Sequence, residues 1–243
     1  MIDVVYPLST GSAWPDNNEL RMSLRSVEAN FRDLGKVFVI GHKPEWLTGV
    51  VHIPVKDRLK HNKDANLIDK VLAVCERPEL SDNFVRLSDD QLFWSPVRWR
   101  DVRPYWAGRL DRKPREFWGD GQWKKRLRRT YGLLLMREQT TYHYDSHCPM
   151  PYNKWQFFKV MNSVDYRAGR GFCINTLYFN SIGLAKHEKL AGRKASFESA
   201  MCPAEVRTKL KGKTYVGYND KGLTEHLKAA IAARFPTPSR FEK

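Results

Sequence analysis

The chain has 243 residues, of which 42% are hydrophobic; this is enough to form a core and excludes wholesale disorder. No apolar stretch approaches the roughly 20 residues that a membrane-spanning helix needs, so we expect no membrane span. The N-terminal stretch MIDVVYPLSTG lacks the basic and long apolar regions typical of a signal peptide. The four cysteines are widely spaced, which favours free thiols in a reducing, cytoplasmic environment over a disulfide scaffold.

Positive charge is concentrated in the C-terminal part of the chain. Residues 1–90 carry 12 basic and 14 acidic side chains, a net of −2, whereas residues 91–243 carry 30 and 13, a net of +17. This asymmetry predicts a polyanionic partner, with nucleic acid favoured, for the second part. A solubilising basic surface is the alternative.

Strand and helix patterns alternate over the first 90 residues. Apolar runs predict strands at Ile2–Tyr6, Lys36–Ile40, Val50–Val55 and Phe84–Leu87. Helical spacing predicts one helix carrying Leu20, Leu24, Val27 and Phe31, and a second at Ala65–Cys75. Asp16 and Glu19 have the spacing of a capping box at the start of the first helix. This order predicts an α/β fold whose mixed, mostly parallel sheet is flanked by helices.

Two adjacent carboxylates, Asp89 and Asp90, follow the fourth predicted strand. Ligands of parallel sheets bind beyond the carboxyl ends of the strands. Unpaired neighbouring carboxylates repel each other, and Mg²⁺ or Mn²⁺, which prefer carboxylate and phosphate oxygens, would remove that repulsion. The sequence therefore predicts a metal site at Asp89 and Asp90; a solvated turn is the alternative.

Basic and aromatic residues are interleaved after Phe93. Residues 94–123 contain five of the eight tryptophans, and residues 98–137 carry 13 basic and 4 acidic side chains. Cations bind phosphates and flat rings stack on bases, so this segment predicts nucleic-acid binding; tryptophans buried in the core are the alternative. The basic residues predicted to contact nucleic acid are Arg98, Arg100, Arg109, Arg112, Lys113, Arg115, Lys124, Lys125, Arg128 and Arg129. A second basic cluster follows at Lys186, Lys189, Arg193, Lys194, Arg207, Lys209, Lys211 and Lys213.

Later helices are predicted at Gln122–Met136, Tyr152–Val160 and Leu223–Phe235. Between the first two lies Tyr-His-Tyr-Asp-Ser-His-Cys-Pro, which contains His143, Asp145 and His147. Pro149 and Pro151 favour a loop or extended chain here. A zinc site in this segment is a weak interpretation, because the cysteines lack the paired spacing of zinc ligands.

Four stretches resemble one family in the same order along residues 1–160. Asp16–Val27 (DNNELRMSLRSV) is similar to the DNDELRYSLRS segment of Stealth-type sugar-phosphate transferases. Lys36–Ile40 with Pro44–Leu47 resembles KIFIVT…PxWL, and Leu80–Asp90 resembles LSExFIYxNDD, with Ser88 in place of the asparagine. His147–Pro151 resembles the later HxP element. Residues 63–70 look closer to versions found in bacteriophage glycosyltransferase-like proteins, and the chain after about residue 160 matches nothing recognisable.

This resemblance implies a glycosyltransferase A-type fold, a nucleotide-sugar donor, with UDP favoured, and Mn²⁺ or Mg²⁺ at the aspartates. His147 joins Asp89 and Asp90 as a predicted metal ligand. Asp145 and His147, with Asp120 in reserve, are predicted to remove the acceptor's proton. The predicted donor-binding residues lie after strands or on helices, and are Tyr6, Pro7, Ser9, Thr10, Arg21, Arg25, Lys63, Asn66, Lys70 and Asp89.

We predict a single domain over residues 1–243, with a nucleotide-sugar part at 1–95 and a basic acceptor lobe at 96–243. The favoured function is transfer of a sugar to a hydroxymethylated pyrimidine, such as 5-hydroxymethylcytosine, in phage DNA, which the enzyme would flip out of the stack. The protein would then act in the host cytoplasm. One alternative is a Stealth-like transferase that acts on a capsular or cell-surface polysaccharide, with aromatic residues as a sugar platform. Another is a non-catalytic nucleic-acid-binding protein.

Overall fold

The computed structural model describes residues 1–184, 188–190 and 192–243; Lys186 of the second basic cluster lies outside these residues. In chain order the strands are β1 (Ile2–Leu8), β2 (Leu34–Gly41), β3 (Val51–Ile53), β4 (Asn83–Arg86), β5 (Gln91–Phe93), β6 (Tyr105–Trp106), β7 (Met150–Asn153), β8 (Glu188–Lys189), β9 (Lys194–Phe197) and β10 (Tyr215–Tyr218). The helices are α1 (Asn18–Asn30), α2 (Lys63–Cys75), α3 (Gln122–Met136), α4 (Lys154–Asn162), α5 (Ile174–Ser181), α6 (Pro203–Leu210) and α7 (Glu225–Arg234). Within the described residues, no helix is both long and apolar enough to cross a lipid bilayer.

The central sheet has the strand order β3-β2-β1-β4-β7. Strands β3, β2, β1 and β4 are parallel, and β7 runs antiparallel to β4 at the edge. Val4 of β1 lies level with Val37 of β2 and Val85 of β4. These three valines are fully or almost fully buried, because helices cover both faces of a parallel sheet and its strands are therefore apolar throughout.

Helix α1 packs one apolar stripe on the protein core. Leu20, Leu24 and Val27 are completely buried there, as their helical spacing predicts. The predicted capping box is wrong, because the N-cap residue is Asn17 and it makes no side-chain cap. The Glu19 carboxylate instead accepts hydrogen bonds from the Ser12 hydroxyl and the Ala13 amide (2.9 Å), and so closes the loop after β1 onto the helix.

A smaller sheet has the order β5-β10-β9, and it starts immediately after the acidic pair. β10 is antiparallel to β5 and parallel to β9. Helices α6 and α7 bury Val206, Leu227 and Ile231 in an apolar cluster that includes residues of β9 and β10. The turn between β4 and β5 thus connects the two sheets, and Asp89 and Asp90 lie at this junction.

Candidate active site

A cleft of about 470 Å³ lies beside the junction of the two sheets, at the carboxyl end of β4. We call it the central cleft. It is lined from both sheets and from three helices, by Asp64, Leu67, Arg86, Ser88, Gln91, Trp123, Asp145, His147, Ile174, Asn175, Lys194, Ser196, Phe197, Glu198, Gly217, Tyr218 and Asn219. Its position is the one at which open α/β sheets bind ligands.

The acidic pair lies next to this cleft in a carboxylate-rich environment. Burial and then the nearby Glu19 carboxylate raise the pKa of Asp89 to about 6. Burial and then the charge of Asp89 raise the pKa of Asp90 well above its usual value. Charged carboxylates held together in this way repel each other, and a cation would relieve the repulsion.

His147 lines the central cleft and contacts Asp90 beside it. Its Nε2 atom lies 3.4 Å from Oδ2 of Asp90, and half of its side chain (50%) is exposed. Although half of the side chain is exposed, partial desolvation of the ring, with Lys194 and Arg86 nearby, lowers the pKa of His147 and favours the neutral imidazole. The backbone of His147 has a positive φ of 55°, a conformation that is uncommon for a non-glycine residue.

These residues fit part of a metal site. Oδ1 of Asp90 is buried and has no hydrogen-bond partner among the described residues, and a neutral imidazole and carboxylates are ligands that Mn²⁺ accepts. Across the described residues, however, no three His, Cys, Asp or Glu side chains converge closely enough to hold an ion by themselves. A divalent ion bound by Asp90 and His147 would therefore need further oxygen ligands, which phosphate groups and water supply in many Mg²⁺ sites.

Two cations line the central cleft near the acidic pair. The Lys194 ammonium donates to the Ser146 carbonyl oxygen (3.0 Å), and burial lowers its pKa. Arg86 is 5% exposed; its Nη2 atom donates to the Ser88 hydroxyl at 3.4 Å, whereas its Nε atom has no partner among the described residues. A buried guanidinium with a free donor is suited to binding an anion in the cleft.

Asp145 lines the same cleft on the side of α5. The Thr176 hydroxyl donates to its Oδ2 atom. Burial raises the pKa of Asp145 to about 6, and this effect outweighs the opposing hydrogen bond from Thr176. A carboxylate of this pKa can accept a proton near neutral pH.

The structure brings some of the predicted donor-binding residues near the acidic pair. Tyr6 is buried in β1, with its hydroxyl 2.7 Å from the Ser23 hydroxyl; burial, and then to a smaller extent the charge of Asp89, raises its pKa. Pro7 is part of β1, and Ser9 and Thr10 are exposed in the loop that follows. The loop continues to Ala13, whose amide donates to the Glu19 carboxylate. Glu19 is close enough to Asp89 for its charge to add to the effect of burial on the pKa of Asp89.

Arg21 and Arg25 are instead directed at the C-terminal segment. Arg25 forms two hydrogen bonds with the Glu242 carboxylate, at 2.8 and 2.7 Å. Arg21 lies 3.7 Å from the same carboxylate and pairs more closely with Asp16, at 2.7 Å. The Arg21 guanidinium also lies over the ring of Trp46. These contacts connect the N-terminal helix to the end of the chain, and a role in donor binding stays a prediction.

Helix α2 holds three further predicted donor-binding residues. Lys70 is 2% exposed and donates to the Leu8 carbonyl (2.8 Å), the Ser9 hydroxyl and the Asp57 carboxylate, which engage all three of its protons. Asn66 bonds the backbone of residues 58 and 59. Both side chains therefore hold loops near the end of β1, whereas Lys63 is exposed at the start of the helix.

The residues predicted to bind nucleic acid are spread over different surfaces. Arg98 and Arg100 line a small cavity with Arg32, which lies between α1 and β2 at the amino end of the parallel strands. Lys113 and Lys124 lie over the ring of Phe117. Arg109 forms an ion pair with Asp111. Arg128 and Arg129 donate hydrogen bonds to backbone carbonyls. Arg112 and Arg115 are exposed in short 3-10 helices, Lys125 is half-buried on α3, and Asp120 is exposed in the loop before α3.

Several cleft residues escape the sequence reasoning. Arg86, Asp64 and Asn175 were not singled out, and Lys194 was grouped with a surface cluster. Arg86 carries a readable signal, since it is a lone cation in an apolar run and lies three residues before Asp89. The Lys194–Asp90 proximity joins positions more than 100 residues apart, and nothing local in the sequence announces it.

Comparison with protein-family models gives no match to this sequence, and comparison with curated proteins gives none either. The fold does match solved structures. The galactosyltransferase LgtC in complex with donor and acceptor sugar analogues aligns with a TM-score of 0.52 at 14% identity, covering 98% of each chain. An active-site mutant of LgtC aligns with a TM-score of 0.50 at 11% identity, again over 98% of each chain.

These matches confirm the predicted α/β, glycosyltransferase A-type fold. At such low identity the similarity concerns the fold, because one fold supports many activities. The resemblance to Stealth-type and bacteriophage proteins and the division at residue 95 stay predictions.

Proposed function

We propose that the protein is a metal-dependent glycosyltransferase that moves a sugar from a nucleotide-sugar donor, with a UDP-sugar favoured, to a hydroxyl group of an acceptor. The observation that carries this proposal is the central cleft itself. It places the Asp90–His147 pair, two cations and a carboxylate of raised pKa around one space at the carboxyl end of β4. Perturbed ionisable groups that converge in a cleft are typical of active sites.

Asp90 and His147, with Asp89 beside them, would hold Mn²⁺ or Mg²⁺, which when bound neutralises charge on the donor diphosphate. The Lys194 ammonium and the free Nε–H of Arg86 lie in the same cleft and would attract phosphate oxygens. Together these groups favour the charge that develops on the leaving diphosphate.

Asp145 is our candidate for the base. Thr176 fixes Oδ2 of its carboxylate and leaves Oδ1 for the acceptor hydroxyl. In the proposed step the bond between the anomeric carbon and the diphosphate oxygen breaks, the acceptor oxygen bonds to that carbon, and the hydroxyl proton passes to Asp145. Above about pH 6 the carboxylate is ionised and able to take that proton.

The acceptor remains a proposal of its own. A hydroxymethylated pyrimidine in DNA is the first acceptor to test, because residues 91–243 carry a net charge of +17. A cell-surface polysaccharide is the alternative, and Trp123, which lines the cleft and is 37% exposed, offers a ring on which a sugar could stack. A cytoplasmic location is proposed on the same footing.

The test incubates the protein with a panel of nucleotide-sugars and Mn²⁺, and measures the released nucleotide by chromatography. Sugar transfer, or donor hydrolysis in water, releases the nucleoside diphosphate, whereas sugar-phosphate transfer releases the monophosphate. Asp90→Asn should lower the release by about 100-fold or more. Asp82→Asn, at the exposed opposite end of β4, is the matched control and should keep the full rate. Equal activity of the two variants would refute the metal-assisted reaction.

A further inference from the structure

A second cavity, of about 730 Å³, opens beside the central cleft and is strongly basic. We call it the basic cavity. Its ionisable lining residues are Lys60, His61, Lys63, Arg126 and Arg170. No carboxylate lines it within the part of the chain that the structure describes. Such a concentration of one sign of charge in a concave surface attracts an anion.

Two of these cations have no partner among the residues that the structure describes. The side chains of Lys60 and Lys63 are exposed, and neither forms an ion pair or hydrogen bond with any described residue. Arg126 pairs with Asp64 at 2.8 Å, and Arg170 donates to the Gln122 side chain. The cavity therefore offers uncompensated ammonium groups beside two guanidinium groups that other side chains hold in place.

The backbone around the basic cavity is held by side-chain hydrogen bonds. Asn62 caps α2 by accepting from the Ala65 amide (3.1 Å), and its amide group donates to the Tyr166 carbonyl at 3.2 Å. Arg129 donates to the Ala168 carbonyl, next to Gly169, which also lines the cavity. The start of α2 and the loop that carries Arg170 are thus fixed relative to each other, so the backbone positions that carry the cationic side chains are preorganised.

The basic cavity and the central cleft share a wall. Trp123 lines both of them. The Asp64–Arg126 ion pair also spans the boundary, because Asp64 lines the central cleft and Arg126 lines the basic cavity. A molecule held in the basic cavity would therefore lie next to the space in which sugar transfer is proposed.

We propose that the basic cavity binds a phosphate group of the acceptor and so positions its hydroxyl group at the central cleft. The role in acceptor binding rests on the proposed function. The binding of phosphate rests on the basic cavity alone. Arginine forks bind phosphate oxygens in pairs and lysines act as point charges, so the combination suits phosphate. The phosphate can belong to the backbone of a nucleic acid or to a phosphorylated sugar.

The experiment measures binding of inorganic phosphate to the full chain by calorimetric titration. Lys60→Ala/Lys63→Ala should raise the dissociation constant for phosphate about tenfold, because two charged contacts are lost. Lys159→Ala/Lys243→Ala removes the same charge from an exposed face of α4 and from the last residue, and should leave binding unchanged. Equal binding by the two double variants, or no binding by the unmodified protein, would overturn the proposal.

Competition identifies the source of the phosphate. A short single-stranded oligonucleotide and glucose 6-phosphate are each added to the phosphate-bound protein, with neutral lactose as the reference. Displacement by the oligonucleotide supports a nucleic-acid acceptor, and displacement by glucose 6-phosphate supports a phosphorylated glycan. If neither displaces phosphate better than lactose does, the acceptor role is refuted.

Failure of this inference and failure of the proposed function have different signatures. Nucleotide release from the donor into water needs no acceptor, so in the unmodified protein it tests the donor site independently of the basic cavity. If no donor is cleaved by the unmodified protein, the glycosyltransferase proposal fails while the phosphate titration still decides the nature of the basic cavity.

Discussion

His143 is a buried histidine whose removal should make the protein more resistant to acid. The residue is 5% exposed, and neither ring nitrogen has a hydrogen-bond partner among the described residues. Its ring centre lies 5.6 Å from that of Trp123 and 6.0 Å from that of Phe117. Burial, and then the charges of Lys113 and Lys124, lower the pKa of His143 from 6.5 to about 4.

The sign of the effect follows from where the proton binds. Between pH 6.5 and about 4 the unfolded chain binds a proton at His143 that the folded protein does not, so the stabilisation present above pH 6.5 is lost as the pH falls through 4. The pKa difference corresponds to about 3 kcal/mol. His143→Phe should abolish this loss. It should also leave the protein equally stable or about 1 kcal/mol more stable at neutral pH, because it removes two unsatisfied buried polar atoms.

Urea unfolding followed by circular dichroism at about pH 7.5 and about pH 4.5 measures the effect. The unmodified protein should lose about 2 to 3 kcal/mol more than His143→Phe over this interval, since most of the protonation difference develops there. His226→Phe, at an exposed position of α7, is the control and should behave like the unmodified protein. If His143→Phe loses as much stability as the unmodified protein, the reasoning about the unpartnered imidazole is refuted.

Three further substitutions test other parts of the structure. Gly222→Ala would place a Cβ atom 2.0 Å from the carbonyl oxygen of Phe197, so the free energy of unfolding in urea should fall by about 3 kcal/mol; an unchanged value would exclude this close backbone approach. Lys70→Met removes a buried ammonium group and leaves its carboxylate and carbonyl partners unpaired, so the free energy of unfolding should fall by about 2 to 3 kcal/mol. A stabilised variant would contradict those contacts. Thr176→Val removes the hydroxyl that donates to Asp145, so the pKa of Asp145 should rise and the acid limb of the kcat/KM profile should move up by about one pH unit; an unmoved limb would argue against Asp145 as the base.

The strands and helices with strong local periodicity could be predicted from the sequence. The predicted helix at Gln122–Met136 has the bounds of α3, and the first apolar run became β1. β7 was not predicted as a strand, because Pro149 and Pro151 indicated only a loop or extended chain there. β7 lies at the edge of the sheet. An edge strand tolerates proline where the missing N–H group would face away from the neighbouring strand, because no hydrogen bond between strands is then lost.

The candidate site could be predicted where its residues directly follow a strand. Asp89 and Asp90 lie in the turn that follows the buried strand β4, and this pattern alone indicates a site at that edge of the sheet. The remainder depends on contacts across the chain. Arg126 reaches Asp64 from another helix, and Lys194 reaches Asp90 from the smaller sheet. Such pairs arise when elements that are distant in the sequence pack together, so the local spacing of residues does not predict them.

The most direct test of the account is a crystal structure of the protein with Mn²⁺ and a UDP-sugar, in which the metal is located by its anomalous scattering. The account predicts a manganese peak beside Asp90 and His147, with the donor diphosphate between the metal and Lys194. A nucleotide bound outside the central cleft, or a manganese peak away from Asp90, would contradict it.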